Sequence, residues 1–226
     1  MCYSAQASFA ASGALVVGSV AISRLPKTKV GVPLSLFPAI FAAHQFVEGV
    51  IWLYHDGVLP DAYKSAAVYA YVLIAYVLWP VFVPFSAYVL ETDMRRRKVI
   101  LLCQVVGLGV GVSLLLASLR DQVQVSADCC SLSYQVNASD LLIAPYVVAV
   151  AIPFLSSSRK SLVLFGVGVA ASCAAAAIAA SAAAFPSVWC FFAALLSAGL
   201  YLHFRAEARA TTHPSAAGAT ANLAAR

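Results

Sequence analysis

The chain has 226 residues, of which 62% are hydrophobic and only 10% are charged. Because soluble domains carry about 25% charged residues, this composition excludes an ordinary soluble protein and indicates a membrane protein. The net charge of +5 does not indicate a nucleic-acid partner, since the charges lie in short clusters between long apolar runs. The six cysteines include no CxxC pair, so neither a zinc motif nor a disulfide scaffold is expected.

Seven apolar runs are each long enough to cross about 30 Å of hydrocarbon at about 1.5 Å per residue. They are Ala7–Leu25, Pro33–Tyr54, Tyr63–Leu90, Val99–Leu119, Leu141–Leu155, Ser161–Phe185 and Ser187–Phe204. The fifth run is short, and its two prolines can kink a helix. The start of the chain has no basic n-region, so we expect the first run to be retained as a helix and not cleaved as a signal peptide.

Basic residues predict the orientation of these spans, because they concentrate on the cytoplasmic side of a membrane protein. Of the fourteen Lys and Arg residues, twelve fall in alternate loops and the tail, and only Lys64 and Arg120 fall on the other side. This alternation requires an odd number of spans. We therefore predict an all-α, seven-transmembrane-helix bundle of the plasma membrane over residues 1–207, with its N-terminus outside. A disordered cytoplasmic tail is expected over residues 208–226.

The second apolar run carries polar side chains near its middle, where a membrane span is normally apolar. His44, Glu48 and Trp52 recur every four residues and therefore share one face of a helix, with Gln45 beside them. A charged side chain inside a bilayer costs roughly 2.5–3.5 kcal/mol on insertion scales, so it usually faces protein or water. This face is therefore the first candidate for a ligand-binding site.

Three further residues fall near the same predicted depth on other spans. Gln6 begins the first span, Asp140 precedes the fifth, and Trp189 lies in the outer part of the seventh. With the second span they predict an outward-opening polar cavity for a small ligand or ion, in which Glu48 is the charged anchor. In the alternative, Glu48 and His44 pair with each other or with Gln6 and only hold helices together.

A metal site is a second alternative for the same face. His44 and Glu48 at i, i+4 can bind one metal ion, but a zinc site needs three or four ligands. Cys190 or Asp140 would have to complete the set. A retinal Schiff base is not expected, because the seventh span contains no lysine.

Two local patterns predict features of the scaffold. Pro80 and Pro84 in the third span each remove a backbone hydrogen bond, so this helix is expected to be bent or partly unwound, either as a hinge or as a static kink. Cys2, Cys129 and Cys130 fall outside in the predicted orientation. In an oxidising compartment we expect Cys2 to bond Cys129 or Cys130, since adjacent cysteines rarely bond each other without strain.

Four ordered motifs resemble an uncharacterised family of small bacterial multi-pass membrane proteins. The motifs are the opening Met-Cys-Tyr-Ser-Ala-Gln-Ala-Ser-Phe, His44-Gln-Phe-Val-Glu-Gly-Val-Ile-Trp, Leu78-Trp-Pro-Val-Phe-Val-Pro and Phe185-Pro-Ser-Val-Trp-Cys-Phe-Phe-Ala-Ala. Members of this family typically begin Met-Cys-Phe-Ser-Ala, and this chain differs in having Tyr3. The resemblance covers nearly the whole chain and implies the multi-pass architecture, but it implies no activity.

The leading functional expectation is therefore a membrane protein that binds, senses or transports a small ligand or ion. A membrane-embedded enzyme, with or without a metal, stays open as an alternative. So does a structural subunit of a larger complex or a homo-oligomer, for which the small residues between 170 and 181 in the sixth span would supply an interface.

Overall fold

The structure is a computed structural model that describes residues 4–27, 31–128, 131–179 and 184–212. Its helices are α1 (Ala5–Ser23), α2 (Val32–Ser35), α3 (Phe37–His55), α4 (Lys64–Val72), α5 (Trp79–Leu90), α6 (Met94–Arg120), α7 (Ile143–Leu155), α8 (Lys160–Ala179) and α9 (Phe185–Thr212). A π-helical segment, Leu73–Leu78, joins α4 to α5, and single 3₁₀ turns precede α4 and α7. Two short strands, β1 (Gln124–Asp128) and β2 (Ser131–Gln135), form an antiparallel hairpin between α6 and α7.

The described part of the chain contains six helical segments that are long and apolar enough to cross a membrane. They are Ala5–Ser23, Val32–His55, Asp61–Leu90, Met94–Arg120, Lys160–Ile178 and Ser187–Arg209. The fifth predicted span corresponds to Asp140–Leu155, an apolar helix that is shorter than the other six. The prediction of a helical membrane protein is confirmed, whereas the count of seven crossings and the orientation of the termini stay predictions.

Two boundaries differ from the predicted ones. Helix α8 is described to Ala179, short of the predicted Phe185, which instead begins α9. Helix α9 continues to Thr212, beyond the predicted end of the last span at Phe204. The remainder of the predicted tail, residues 213–226, lies outside the described residues.

The helices pack as a closed ring in which most neighbours in sequence are neighbours in space. α1 packs on α3, the α4–α5 rod packs on α3, α6 and α7, and α7 packs on α8. The last helix, α9, contacts α8 and also returns to α1 and α3, which closes the ring. Short connections between antiparallel helices favour this order, because each helix buries its apolar side most easily against its immediate neighbour.

One end of the ring, which we name the hairpin end, is filled by the two strands. Leu132 and Tyr134 of β2 are almost fully buried and pack with Ile51, Trp52 and Tyr71 of the helices. Both strands alternate polar and apolar residues, as Gln-Val-Ser-Ala-Asp and Ser-Leu-Ser-Tyr-Gln, which is a strand pattern that the predicted elements do not include. Residues Ser131 to Tyr134 of β2 are buried on both faces of the strand.

The opposite end, which we name the basic end, is fastened by a carboxylate and a guanidinium. Glu91 is 3% exposed and accepts backbone N–H groups of Thr92, Asp93 and Ser158 at 2.7–2.9 Å. Burial by itself raises the pKa of the Glu91 carboxyl, but the hydrogen bonds outweigh it and hold that pKa below its usual value. Arg96 donates to the carbonyls of Ser156 and Ser157, so the α5–α6 turn is tied to the α7–α8 turn.

The expected distortion around Pro80 is present. Neither Pro80 nor Pro84 can donate a backbone hydrogen bond to the preceding turn, and the helix widens into the π-helical segment just before Pro80. Helix α6 approaches this region so closely that a Cβ on Gly107 would lie 1.8 Å from the Pro80 carbonyl oxygen. The irregular backbone is therefore covered by protein, as a membrane interior requires.

Candidate functional site

The carboxylate of Glu48 lies fully buried in the bundle, at 0% exposure. Its Oε2 accepts the side-chain amide of Gln45 at 3.2 Å. Its Oε1 accepts the hydroxyl of Ser187, from the first turn of α9. Because a helix N-terminus carries a partial positive charge and hydrogen bonds to a carboxylate favour its charged form, this arrangement suits a buried carboxylate.

The contact between Glu48 and Ser187 also reveals how deep α9 begins. Glu48 precedes the last residue of α3, His55, by seven positions, which is about 10 Å along a helix. Since Ser187 is only the third residue of α9, α9 starts well below the hairpin end of α3. Strand β2 and a cavity lie beside this first turn.

Three aromatic rings form a stack between α3 and the hairpin. The His44 ring lies 4.2 Å from that of Tyr71, and Tyr71 stacks on Tyr134 at 4.0 Å with an interplanar angle of 6°. Neither ring nitrogen of His44 reaches a partner at hydrogen-bond geometry among the described residues, although the backbone of Tyr71 makes a weak polar contact. His44 therefore packs as a ring and does not pair with Glu48.

A cavity of about 600 Å³, which we name the hairpin cavity, lies at the hairpin end. Strand β2, the π-helical segment, α6, α7, α8 and the first turns of α9 form its walls. The residues with polar or reactive side chains in the lining are Tyr76, Tyr134, Gln135, Ser139, Asp140, Tyr146, Cys173, Trp189 and Cys190. The rest of the lining is apolar, and a pocket of this size with a few converging polar groups is typical of a small-molecule site.

The floor of the hairpin cavity is held by two aromatic side chains. The hydroxyl of Tyr146 donates to the carbonyl of Ala75 in the π-helical segment at 2.5 Å. The indole N–H of Trp189 donates to the hydroxyl of Ser172 at 3.1 Å. Below them lies an apolar void of only about 40 Å³, so the two fixed rings close the cavity toward the basic end.

The predicted site residues divide into three groups in the structure. Asp140 and Trp189 line the hairpin cavity. The polar face of α3, formed by His44, Gln45, Glu48 and Trp52, is buried behind the cavity wall and not in its lining. Gln6 is exposed on α1 and is not part of this buried cluster.

The predictions that involve metal and disulfide bonds have different outcomes. No group of three or more His, Cys, Asp and Glu side chains in the described residues is arranged to hold a metal ion. Cys190 lies in the cavity wall, and the metal set of His44, Glu48 and Cys190 stays a prediction. The predicted partners Cys2, Cys129 and Cys130 lie outside the described residues.

The sequence comparison identifies the family to which these features belong. A family model described as a family of unknown function, DUF6629, matches residues 1–217. The chain belongs to this family. No curated protein and no solved structure matches the chain. The resemblance to an uncharacterised family is confirmed, and the family description assigns no activity, so any function has to be argued from the geometry of the site.

The sequence analysis did not identify the tyrosines and the serine that complete the site. Ser187 follows Phe185 and a proline, which is a recognisable helix start, but nothing local shows that its hydroxyl meets Glu48. Tyr71 and Tyr134 look like ordinary aromatic residues of a span and a loop. Their stack forms only when the hairpin folds onto the bundle.

Proposed function

We propose that the protein binds a small amphipathic molecule in the hairpin cavity. The observation that carries this proposal is the cavity itself, with about 600 Å³ between two bundle walls and a folded hairpin. Its lining combines apolar and aromatic surface with a few hydrogen-bonding groups, a composition that suits a ligand with an apolar body and one polar group.

The charges of the lining favour a cationic or hydrogen-bond-donating ligand. Asp140 is the acidic residue of the lining, and neither Lys nor Arg occurs in the lining that the described residues form. The side chain of Asp140 is exposed at the start of the 3₁₀ turn before α7, where an entering molecule would meet it. In this proposal the polar group of the ligand faces Asp140 and its apolar body packs against Trp189 and Tyr146.

Glu48 acts in this proposal by positioning the wall. It holds the first turn of α9 through Ser187, and the same turn places Trp189 and Cys190 in the cavity lining. The prediction that Glu48 itself anchors the ligand is a stronger form of the proposal, which would require the wall to open.

The test is to fill the cavity from a site that tolerates a larger side chain. Ala177 of α8 lines the cavity and is exposed, so Ala177→Phe adds a ring to the cavity without displacing core residues. Ala175 is also exposed on α8. It precedes Ala177 by two residues and therefore lies about 200° around the helix from it, which makes Ala175→Phe a matched control.

The measurement is native mass spectrometry of the protein extracted in a mild detergent. We expect wild type and Ala175→Phe to carry a small molecule that Ala177→Phe lacks, and we expect the mass difference to identify it. Retention of the same molecule by Ala177→Phe, or a bare wild-type protein after extraction directly into lipid nanodiscs, would contradict the proposal.

A further inference from the structure

A second cavity, which we name the basic-end groove, lies between α8 and α9 at the opposite end of the bundle. Its volume is about 650 Å³, and it shares no lining residue with the hairpin cavity. Polar side chains line one part of it and leucines line another. It is therefore a separate site, and nothing in the proposed function depends on it.

The polar part of the groove lies where α8 begins. Arg159 donates through Nη1 to Oε1 of Glu207 at 2.5 Å, and its other guanidinium nitrogens have no partner among the described side chains. The hydroxyl of Ser161 lies 2.9 Å from Nδ1 of His203. When that hydroxyl donates to Nδ1, the hydrogen of the neutral imidazole is on Nε2.

In that tautomer, which the Glu207 carboxylate oxygen 3.7 Å from Nε2 favours, His203 presents an unused donor to the groove. Its side chain is only 8% exposed, and Nε2 is buried without a hydrogen-bond partner in the described part of the chain. The nearest carboxylate oxygen, Oε1 of Glu207, is 3.7 Å away, which is too far for a hydrogen bond. Because a buried donor without a partner costs free energy, this nitrogen favours a ligand with an acceptor oxygen.

The apolar part of the groove is deeper in the bundle than the polar part. Leu164 is one turn into α8, and Leu196 and Leu200 precede His203 along α9. The groove opens to the side, since Leu164 is 73% exposed and Leu202 is 64% exposed. In a bilayer this opening faces the acyl chains, so the groove runs from the interface into the hydrocarbon.

The charge around the polar part is positive. Arg159, Lys160, Arg205 and Arg209 are the basic residues at the ends of α8 and α9, and Glu207 is the acidic one. Each Lys or Arg near a membrane surface attracts anionic lipid by about 1 kcal/mol. We propose that the basic-end groove binds one anionic phospholipid, whose phosphate accepts from His203 Nε2 and Arg159 and whose acyl chain lies along Leu196 and Leu200.

Gly199 provides a way to block the acyl part of the groove. It lines the groove, and a Cβ placed on it would meet no atom within 4 Å, so Gly199→Leu fills open space without a clash. Gly13 of α1 has the same open surroundings and lies in none of the cavities described, which makes Gly13→Leu the matched control. Arg159→Gln tests the head-group contact, and Lys160→Gln, exposed and outside the lining, controls for general charge.

The experiment uses the full-length protein in nanodiscs of phosphatidylglycerol and phosphatidylcholine in equal amounts and with identical acyl chains. After transfer to detergent, native mass spectrometry counts the retained lipids. We expect wild type to retain one phosphatidylglycerol in about tenfold preference over phosphatidylcholine. Gly199→Leu should lose the bound lipid and Arg159→Gln the preference, while both controls behave as wild type. Glycerol 1-phosphate, which carries the head group alone, should not displace the lipid.

Each contrary result overturns the proposal in a defined way. Equal retention of the two lipids would show an apolar groove without head-group recognition. Lipid retention by Gly199→Leu equal to that of Gly13→Leu would place the lipid elsewhere. Displacement by glycerol 1-phosphate would make this a site for a soluble anion. The Arg159→Gln result stands even if Gly199→Leu does not fold, because Arg159 is half-buried just before α8 and lies outside the core.

Discussion

At the scale of single residues, the buried carboxylate of Glu48 links the polar face of α3 to the first turn of α9. The hydrogen bond from Ser187 joins two residues that are 139 positions apart in the chain. Removing one hydrogen-bond partner of a buried charged group destabilises the fold, because no water replaces the lost hydrogen bond. This contact therefore contributes to the position of α9 as well as to stability.

Ser187→Ala should lower the free energy of unfolding by about 1.5–3 kcal/mol, the usual contribution of a hydrogen bond to a charged group. Ser197→Ala is the matched control, because Ser197 is equally buried on the same helix and donates only to the carbonyl of Ala194 in its own helix. Unfolding by a denaturing detergent, followed by far-ultraviolet circular dichroism, measures both losses.

The coupling between Ser187 and Glu48 can be measured in the same assay. The losses caused by Ser187→Ala and Glu48→Gln should not add in the double variant, since both remove the same hydrogen bond. Equal losses for Ser187→Ala and Ser197→Ala, or additive losses in the double variant, would show that the contact is not important for the fold.

At the scale of helices, the irregular rod of α4, the π-helical segment and α5 depends on close packing by α6. Gly107 faces the Pro80 carbonyl. A Cβ atom built on Gly111 would lie 3.5 Å from the carbonyl oxygen of Val77. Small residues at such positions let two helix backbones approach closely, which is the main source of packing energy between helices in lipid. The proline break and the glycines of α6 are therefore complementary parts of one interface.

Gly107→Ala should destabilise the protein strongly, by about 2–4 kcal/mol, because the new methyl group would have to displace backbone atoms of Pro80. Gly109→Ala is the control on the same helix, where a Cβ meets no atom within 4 Å. This second change should be neutral or slightly stabilising, since Ala favours a helix over Gly by about 1 kcal/mol. Thermal unfolding monitored by thiol-reactive fluorescence would compare them, and equal melting temperatures would reject this account of the interface.

At the scale of the whole molecule, the closed ring has two unlike ends. The hairpin end is plugged by β2 and contains the hairpin cavity, while the basic end is tied by Glu91 and Arg96 across two turns. Basic residues favour the cytoplasmic side, so the predicted orientation places the hairpin cavity outside the cell. A ligand would then enter from the exterior.

This orientation predicts the labelling of single cysteines in intact cells. Cysteines at Arg95 and Lys160, both exposed at the basic end, should resist a membrane-impermeant maleimide until the cells are lysed. A cysteine at Asp56, exposed just after α3 at the hairpin end, should react in sealed cells. A cysteine-free background is required, because Cys190 and Cys173 line the hairpin cavity. Labelling of Arg95→Cys and Lys160→Cys before lysis would reverse the orientation.

The membrane class, the positions of the long apolar helices and the polar face of α3 could all be predicted from the amino-acid sequence. These properties are local: hydropathy accumulates over about 20 neighbouring residues, and a spacing of four residues places His44 and Glu48 on one face whatever surrounds them. The distortion at Pro80 was equally local, since proline removes a backbone donor in any context.

Which residues meet across that face depends on the packing of the whole bundle. Glu48 accepts hydrogen bonds from Ser187 and Gln45 and not from His44, and α9 begins below the hairpin end of α3. The hairpin was also not predicted: both strands alternate polar and apolar residues, but each is only five residues long and lies in a loop between two apolar runs. Relative helix depth and contacts between distant residues depend on how the whole ring packs, and no short stretch of sequence encodes them.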